Sequence, residues 1–372
     1  MLERVPDPGP LGAGITLQPT GQAVLARLGL LPAILARGTR VERLWVRRLD
    51  GRTVIDLRYR DAGDLFGVGL HRGVLFAALF DAVRAEPGIA LRLGVSIDGW
   101  QADGDARWLV AAGGERIGPF DLVVVAGGGA TELHAQTTIP TRVRPYPWGA
   151  LWFVAEDPRR VFDSEITQWV DGARYMCGML PTGRSPGGGT EVTSLFWSIR
   201  ADRVPAWRAA GLSAWKADVL RFEPRAGFVL EQIRSMDQVL FTQYRDVGMA
   251  RWHERGTVFL GDAAHATSPQ LGQGANLALW DAMILGECAA AFPRVDDALA
   301  AYTAARRRHL GYYQLATRGL TPFFQGDSRL LAWVRDLVFP TSRWLGPLRR
   351  RMVRTMCGID LGIVRRPLPL PL

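Results

Sequence analysis

Between Thr257 and Ala290 the chain reads TVFLGDAAHATSPQLGQGANLALWDAMILGECAA. Thr257 to Leu260 has the composition of a buried strand, Gly261-Asp262 closes it, and a loop with Pro269, Gly272 and Gly274 comes next. A long helix is predicted from about Ala275. A strand that ends in an acid, followed by a glycine-rich turn and a helix N-terminus, is a place to hold a polar, partly anionic ligand. The glycines let backbone N–H groups approach closely. The helix end adds unpaired donors and a partial positive charge, and the carboxylate accepts from hydroxyl groups. Read only as local structure, the stretch is a strand–loop–helix with a capped N-terminus, built on the same physics.

The spacing of Gly261, Asp262, His265, Pro269, Gly272 and Gly274 closely resembles the second flavin motif of the FAD-dependent aromatic hydroxylases. These are the group A, p-hydroxybenzoate hydroxylase-like flavoprotein monooxygenases. The resemblance implies an α/β fold with a Rossmann-like FAD-binding domain, an inserted β-rich substrate domain and a C-terminal helical region. It implies that Asp262 bonds the ribityl chain and that Pro269 lies by the flavin ring. It also implies that the Gly272–Gly274 turn, with Ala275 and Asn276, aims N–H groups at flavin N1 and O2. His265, a lone histidine, reads as structural rather than catalytic.

At 372 residues, 48% hydrophobic and 22% charged, the chain has the composition of a globular protein large enough for two domains. The net charge of +9 is almost entirely arginine, because Lys216 is the single lysine. Such a charge suits an anionic dinucleotide, an acidic partner or a membrane surface, or reflects compositional bias alone. No zinc-finger, RRM-like or helix-turn-helix signature favours nucleic acid. Cys177, Cys288 and Cys357 are far apart, which fits a reducing cytoplasm and neither a disulfide framework nor a zinc site. Metal-ligand spacing and a GxSxG elbow are both missing from the sequence.

Along the chain, Thr20 is the expected cap of a helix carrying Val24, Leu25, Leu28 and Leu31. Val41 to Leu57 alternates apolar and charged residues around Asp50-Gly51, a hairpin signal. A helix is predicted over 74–83, with short strands near 90–93, 108–111 and 122–125. The last is an apolar run expected to be buried on both faces. From about Arg142 aromatic residues become dense, which suggests a largely β region to about Arg251. Residues 296–319 read as one helix. Pro322, Pro340 and Pro347 divide the C-terminal region into short helices, with an extended tail over 365–372. The expected division is an FAD-binding domain from 1–140 and 252–295, a β-rich substrate domain over 141–251, and a helical region over 296–372.

Further elements carry the resemblance. Glu3 stands where the family's second strand ends in an acid, so the likeness gives it the adenosine ribose hydroxyls and sets Arg4 beside the adenine or pyrophosphate. Arg72, in HRGVLFAAL, resembles the family arginine that reaches toward the flavin's phosphate or ribityl region. Val95 resembles a position whose backbone meets adenine. A dinucleotide-binding unit of about thirty residues normally opens with strand, GxGxxG and helix. No such run precedes Glu3, and Gly12–Gly14 does not replace it. The expectation is therefore either an upstream start or a truncated form. The family's middle motif reads here DLVVVAGGGATELH from Asp121 to His134. Gly127 replaces its second acid, Thr131 its serine and His134 its arginine. That motif serves both FAD and the reduction step.

By this resemblance NAD(P)H reduces FAD, and dioxygen then gives a C4a-hydroperoxide that hydroxylates a small aromatic or polyene substrate. Trp148, Trp152, Phe196 and Trp197 are candidates for the apolar substrate wall, or are plain core. No catalytic base stands out. The alternative is a truncated, non-catalytic relative that cannot hold FAD stably. The segment 330–354 is basic and amphipathic. Its favoured reading is a helical layer packed on the domain, and peripheral contact with an anionic membrane is the other.

Overall fold

The strands rich in buried apolar residues between 141 and 200 form the middle of one large sheet. In the computed structural model, which describes residues 1–9, 12–362 and 367–370, this sheet has seven strands. Their order is Leu240–Met249, Thr141–Glu156, Glu191–Arg200, Tyr175–Arg184, Glu165–Asp171, Arg43–Arg48 and Thr53–Arg58. Neighbours are antiparallel except Glu165–Asp171 and Arg43–Arg48, which run parallel. The hairpin expected around Asp50-Gly51 is present, and it forms the edge of this large sheet. The Arg43 guanidinium helps to fix that address, bonding Asp56 across the hairpin at 2.7 Å and Glu165 on the neighbouring strand at 3.0 Å.

One face of the large sheet packs on Val204–Phe222 and Gly227–Glu231. The first of these is a helix inside the region expected to be strands and loops. Trp207, Trp215, Val219 and Phe222 are its buried residues, a helical spacing obscured in sequence by the surrounding aromatics. Gly211, at φ 82°, interrupts it.

The other face meets a small antiparallel sheet of Gly14–Leu17, Gly67–His71 and Thr39–Val41. Here glycine is required by closeness. A Cβ on Gly69 would lie 1.9 Å from the Pro181 carbonyl oxygen, and one on Gly14 would lie 2.6 Å from Thr182 Oγ1.

Two parallel pairs lie in separate sheets: Leu2–Glu3 with Arg92–Leu93, and Val123–Val125 with Thr257–Phe259. Among the described residues these pairs are not hydrogen-bonded to one another. Val123–Val125 is accordingly an edge strand. Val123 and Val125 are buried while Val124 is 43% exposed, so the expected burial on both faces does not hold.

Three further expectations resolve locally. The first helix runs Pro19–Arg27 with Gln18 at its cap position. Thr20 is therefore not the cap, because Pro19 with its fixed φ takes the first turn. The helix predicted over 74–83 extends over Arg72–Ala85, and the His71 side chain caps it by accepting from the Gly73 N–H. A single helix spans Val295–Leu320, followed by Arg329–Val338 and Gly346–Met356. In the tail expected to be extended, residues 365–366 and 371–372 lie outside the described set, and Leu368 donates to the Ile359 carbonyl.

The contact between the two sheets predicts that Gly69→Ala is destabilising. A methyl group cannot share space with the Pro181 backbone, so unfolding in denaturant should show a loss of about 1–3 kcal/mol or more.

Candidate functional site

The strand Thr257–Phe259 is fully enclosed. It delivers Leu260 to a turn at Gly261, whose φ of 55° and ψ of −135° lie outside the ordinary L-residue regions. A Cβ there would come within 3.0 Å of Ala278 Cβ on the facing helix. The one-turn helix Asp262–His265 comes next, then Pro269–Leu271, then Gly272 in the left-handed region at φ 61°. The helix Gly274–Ala291 begins two residues later.

Asp262, Pro269, Gly272 and Gly274 are all exposed along this path. The Asp262 carboxylate reaches within 3.8 Å of where a Gly274 Cβ would sit. An exposed acid therefore stands beside a helix N-terminus whose first N–H groups, at Gly274, Ala275 and Asn276, have no intrahelical acceptor.

Asn276 is fully buried, and its side chain is committed internally. Its Oδ1 accepts from the Gln18 N–H at 2.8 Å, and its Nδ2 donates to the Thr16 and Gly272 carbonyls at 3.1 Å. It locks the glycine turn onto the small sheet and leaves only its backbone N–H for a ligand.

The middle motif packs directly on this turn. A Cβ on Gly129 would lie 3.3 Å from the Asp262 carbonyl oxygen, and His134 Nε2 is 2.6 Å from the Ala263 carbonyl. Gly127, in place of the family's acid, is exposed.

At the other end, Glu3 and Val95 are brought together. The Val95 N–H donates to the Glu3 carbonyl at 2.9 Å, while Glu3 Oε1 accepts from the Val5 N–H. Arg4 is exposed on the same short strand end. Arg72 is exposed at the first turn of its helix, its Cδ 3.2 Å from where a Gly12 Cβ would sit.

The aromatic candidates divide. Trp152 and Phe196 are directly paired across the sheet, with ring centroids 5.4 Å apart. They share a face with Ser194, whose Oγ accepts from the Gly14 N–H, so this pair looks toward the small sheet and packs among Val41, Leu57 and Met356. Tyr244 lies beside Trp152, and burial raises its pKa, so it stays a neutral phenol. Trp197 points the opposite way, into the cluster with Trp207 and Phe222. With Trp148 it lines a groove of about 680 Å³ walled also by Tyr175 and Trp215.

What sequence reasoning missed lies beneath the turn. Asp281 is fully buried in the helix Gly274–Ala291, on the stripe of Leu277 and Leu285. Its Oδ2 accepts from the Gly261 N–H at 3.1 Å and lies 2.5 Å from His265 Nε2. Its Oδ1 accepts from Arg306 Nε at 2.7 Å. Arg306 Nη1 then donates to His309 Nδ1 at 2.6 Å, and His309 Nε2 donates to the Gly358 carbonyl at 2.7 Å. Burial alone would raise the Asp281 pKa, but His265 and Arg306 outweigh it and hold the carboxyl below its ordinary value. Burial and the neighbouring guanidinium push the His309 imidazole down to about 3, in keeping with its one-acceptor, one-donor bonding. The structural reading of His265 holds. The signal in the sequence was an acid inside an otherwise apolar helical stripe, which demands buried partners.

Known proteins resemble this chain in sequence and in fold. A family described as FAD binding domain matches residues 232–312. The aurachin C monooxygenase/isomerase of Stigmatella aurantiaca is 26% identical, over 90% of this chain and 86% of its own length. The 2-heptyl-3-hydroxy-4(1H)-quinolone synthase of Pseudomonas aeruginosa is 25% identical, over 90% and 86%. In fold, the chain is similar to PqsL of P. aeruginosa in complex with 2-aminobenzoylacetate. That match has a TM-score of 0.77 at 21% identity and covers 89% of this chain and 91% of that one. It is also similar to 2-methyl-3-hydroxypyridine-5-carboxylic acid oxygenase, with a TM-score of 0.74 at 19% identity, covering 91% and 89%. By these matches the chain is similar to the FAD-dependent aromatic hydroxylases, the group A flavoprotein monooxygenases. FAD is its cofactor and NAD(P)H the reductant typical of the family.

The buried network has two measurable consequences. Arg306→Met strands the Asp281 carboxylate and should cost about 3–5 kcal/mol in unfolding experiments. Stability should also decline with acid. The unfolded state takes up a proton at His309 below the ordinary histidine value of 6.5, which the native state refuses. Asp281 adds to the loss below the ordinary carboxylate value of 3.8. In a pH series of unfolding curves, His309→Gln should flatten the decline above the carboxylate range.

Proposed function

We propose that this chain uses FAD to insert one oxygen atom from dioxygen into a small aromatic substrate. The observation that carries the reading is the exposed Asp262 carboxylate standing beside the open N-terminus of the helix Gly274–Ala291. The residues fit the cofactor where its polar edge demands it. Gly272 in the left-handed region and the side-chain-free Gly274 let a planar ring approach the backbone. Asp262 offers acceptors to a polyhydroxyl chain.

Bound FAD supplies hydride acceptance from NAD(P)H and the activation of dioxygen. The protein's part is electrostatic and steric. The N–H groups of Gly274, Ala275 and Asn276 stabilise negative charge on the pyrimidine edge of the ring. Pro269 would border the ring, Glu3 with the Val95 backbone beside it would take the adenosine ribose and adenine, and Arg4 and Arg72 would serve the phosphates. The inward pair Trp152 and Phe196, with neutral Tyr244, forms an apolar face that excludes water and suits a flat ring. Relatives named for quinolone and aurachin chemistry support a bicyclic, nitrogen-containing aromatic as the substrate class. Residues 1–140 with 252–295 serve the cofactor, 141–251 the substrate, and 296–372 buttress both, with the 43–58 hairpin lent to the substrate side.

A titration of the purified protein with FAD tests this reading. Asp262→Ala should weaken binding by about 1.5–3 kcal/mol, the worth of hydrogen bonds to a charged acceptor, with the fold unchanged by circular dichroism. Equal affinity for FAD in the variant and the parent would overturn the assignment.

A further inference from the structure

The helix Arg329–Val338 has two faces of opposite character. Arg335, fully buried, sets the inner one. Its guanidinium donates to the Gly172 and Phe323 carbonyls at 2.9 and 3.0 Å and bonds Asp336 at 2.7 Å. These bonds fix the helix's rotation about its axis. The opposite face then carries Leu330, Trp333 and Leu337, at helical spacing and 66%, 62% and 58% exposed. The chain continues through Phe339–Arg343 to Trp344, 84% exposed, and Leu345, 52% exposed. The stripe cannot turn inward without breaking the Arg335 bonds, so its exposure is built in.

Charge identifies what covers it. Residues 330–354 hold six arginines and one acid. That acid, Asp336, is spent on Arg335 and Arg48. Arg329, Arg343 and Arg350 are exposed around the apolar stripe. Pairing the same patch between two copies would set these arginines against their equivalents, with no exposed acid in the segment to offset them. An interface of indole rings, leucines and a cationic rim matches the boundary of a bilayer with anionic headgroups. No helix of the described residues is long and apolar enough to cross a membrane, so the contact is peripheral. We propose that the stripe from Leu330 to Leu345, with its arginine fringe, seats this protein on an anionic lipid surface.

Flotation of the purified full chain tests this. Two sets of vesicles are used, one of phosphatidylcholine alone and one of equal parts phosphatidylcholine and phosphatidylglycerol. The protein should float with the anionic vesicles and be released by salt. Arg343→Gln with Arg350→Gln should lower partitioning about 30-fold on anionic vesicles, at about 1 kcal/mol per arginine. Trp333→Ser with Trp344→Ser, both on exposed positions, should lower it by about tenfold or more without changing the unfolding midpoint. Failure of the parent chain to float with anionic vesicles overturns the proposal, as does undiminished flotation of the tryptophan variant. A solution dimer that the tryptophan variant dissociates assigns the stripe to a second copy and likewise overturns it.

Discussion

The carboxylate of Asp281 is the point on which the site rests. It receives the backbone N–H of Gly261, the residue that ends the motif strand in an unusual conformation, and it meets His265 one turn further on. Holding Gly261 fixes where Asp262 emerges. Asp281 rides on the same helix whose N-terminus completes the cradle, so acid and helix end cannot drift apart. A buried carboxylate is costly unless its lone pairs are met, and Arg306 from the next helix meets them. Through His309 the same ion pair reaches Gly358. There the C-terminal turn approaches so closely that a Cβ would strike Thr20 Oγ1 at 2.3 Å. Gln273, at the cap position of the motif helix, bonds the neighbouring Met356 carbonyl. The C-terminal region is thereby tied to the cradle.

This arrangement explains which parts could be read from the residues alone. Strand, turn and helix around Asp262 are local, and glycine and acid spacing marks them. The Val41 to Leu57 hairpin is legible for the same reason, through alternation and Asp50-Gly51. Its address in the large sheet is not, because Arg43 and Glu165 are 122 residues apart and nothing in either segment names the other. The helix Val204–Phe222 was hidden by the number of aromatics around its buried stripe. Val124 is exposed because its strand lies at a sheet edge, and an apolar run alone does not distinguish a central strand from an edge. Asp281 announced itself only as an acid among leucines. Its partners come from two further elements that meet it solely in three dimensions.

The exposed apolar stripe and the cradle are held by one device used twice, an arginine enclosed in protein. Arg306 draws the long helix onto the motif helix. Arg335 draws the helix Arg329–Val338 onto the loop at Gly172, beside the large sheet. Arg306 spends its fork on the Asp281 carboxylate and the His309 ring nitrogen, and Arg335 spends its fork on two carbonyls and the Asp336 carboxylate, uses that suit a fixed fork of donors. What differs is the outer consequence: one arginine shapes a polar recess, the other presents an apolar surface.

The most direct measurement of the central claim is a crystal structure of the protein grown with FAD. The account predicts the Asp262 carboxylate within hydrogen-bond distance of a ribityl hydroxyl, and the pyrimidine edge of the ring against the N–H groups of Gly274 to Asn276. The Asp281 bonds to Gly261, His265 and Arg306 should be unchanged. A flavin bound elsewhere, or an Asp262 carboxylate turned away from it, would contradict the account.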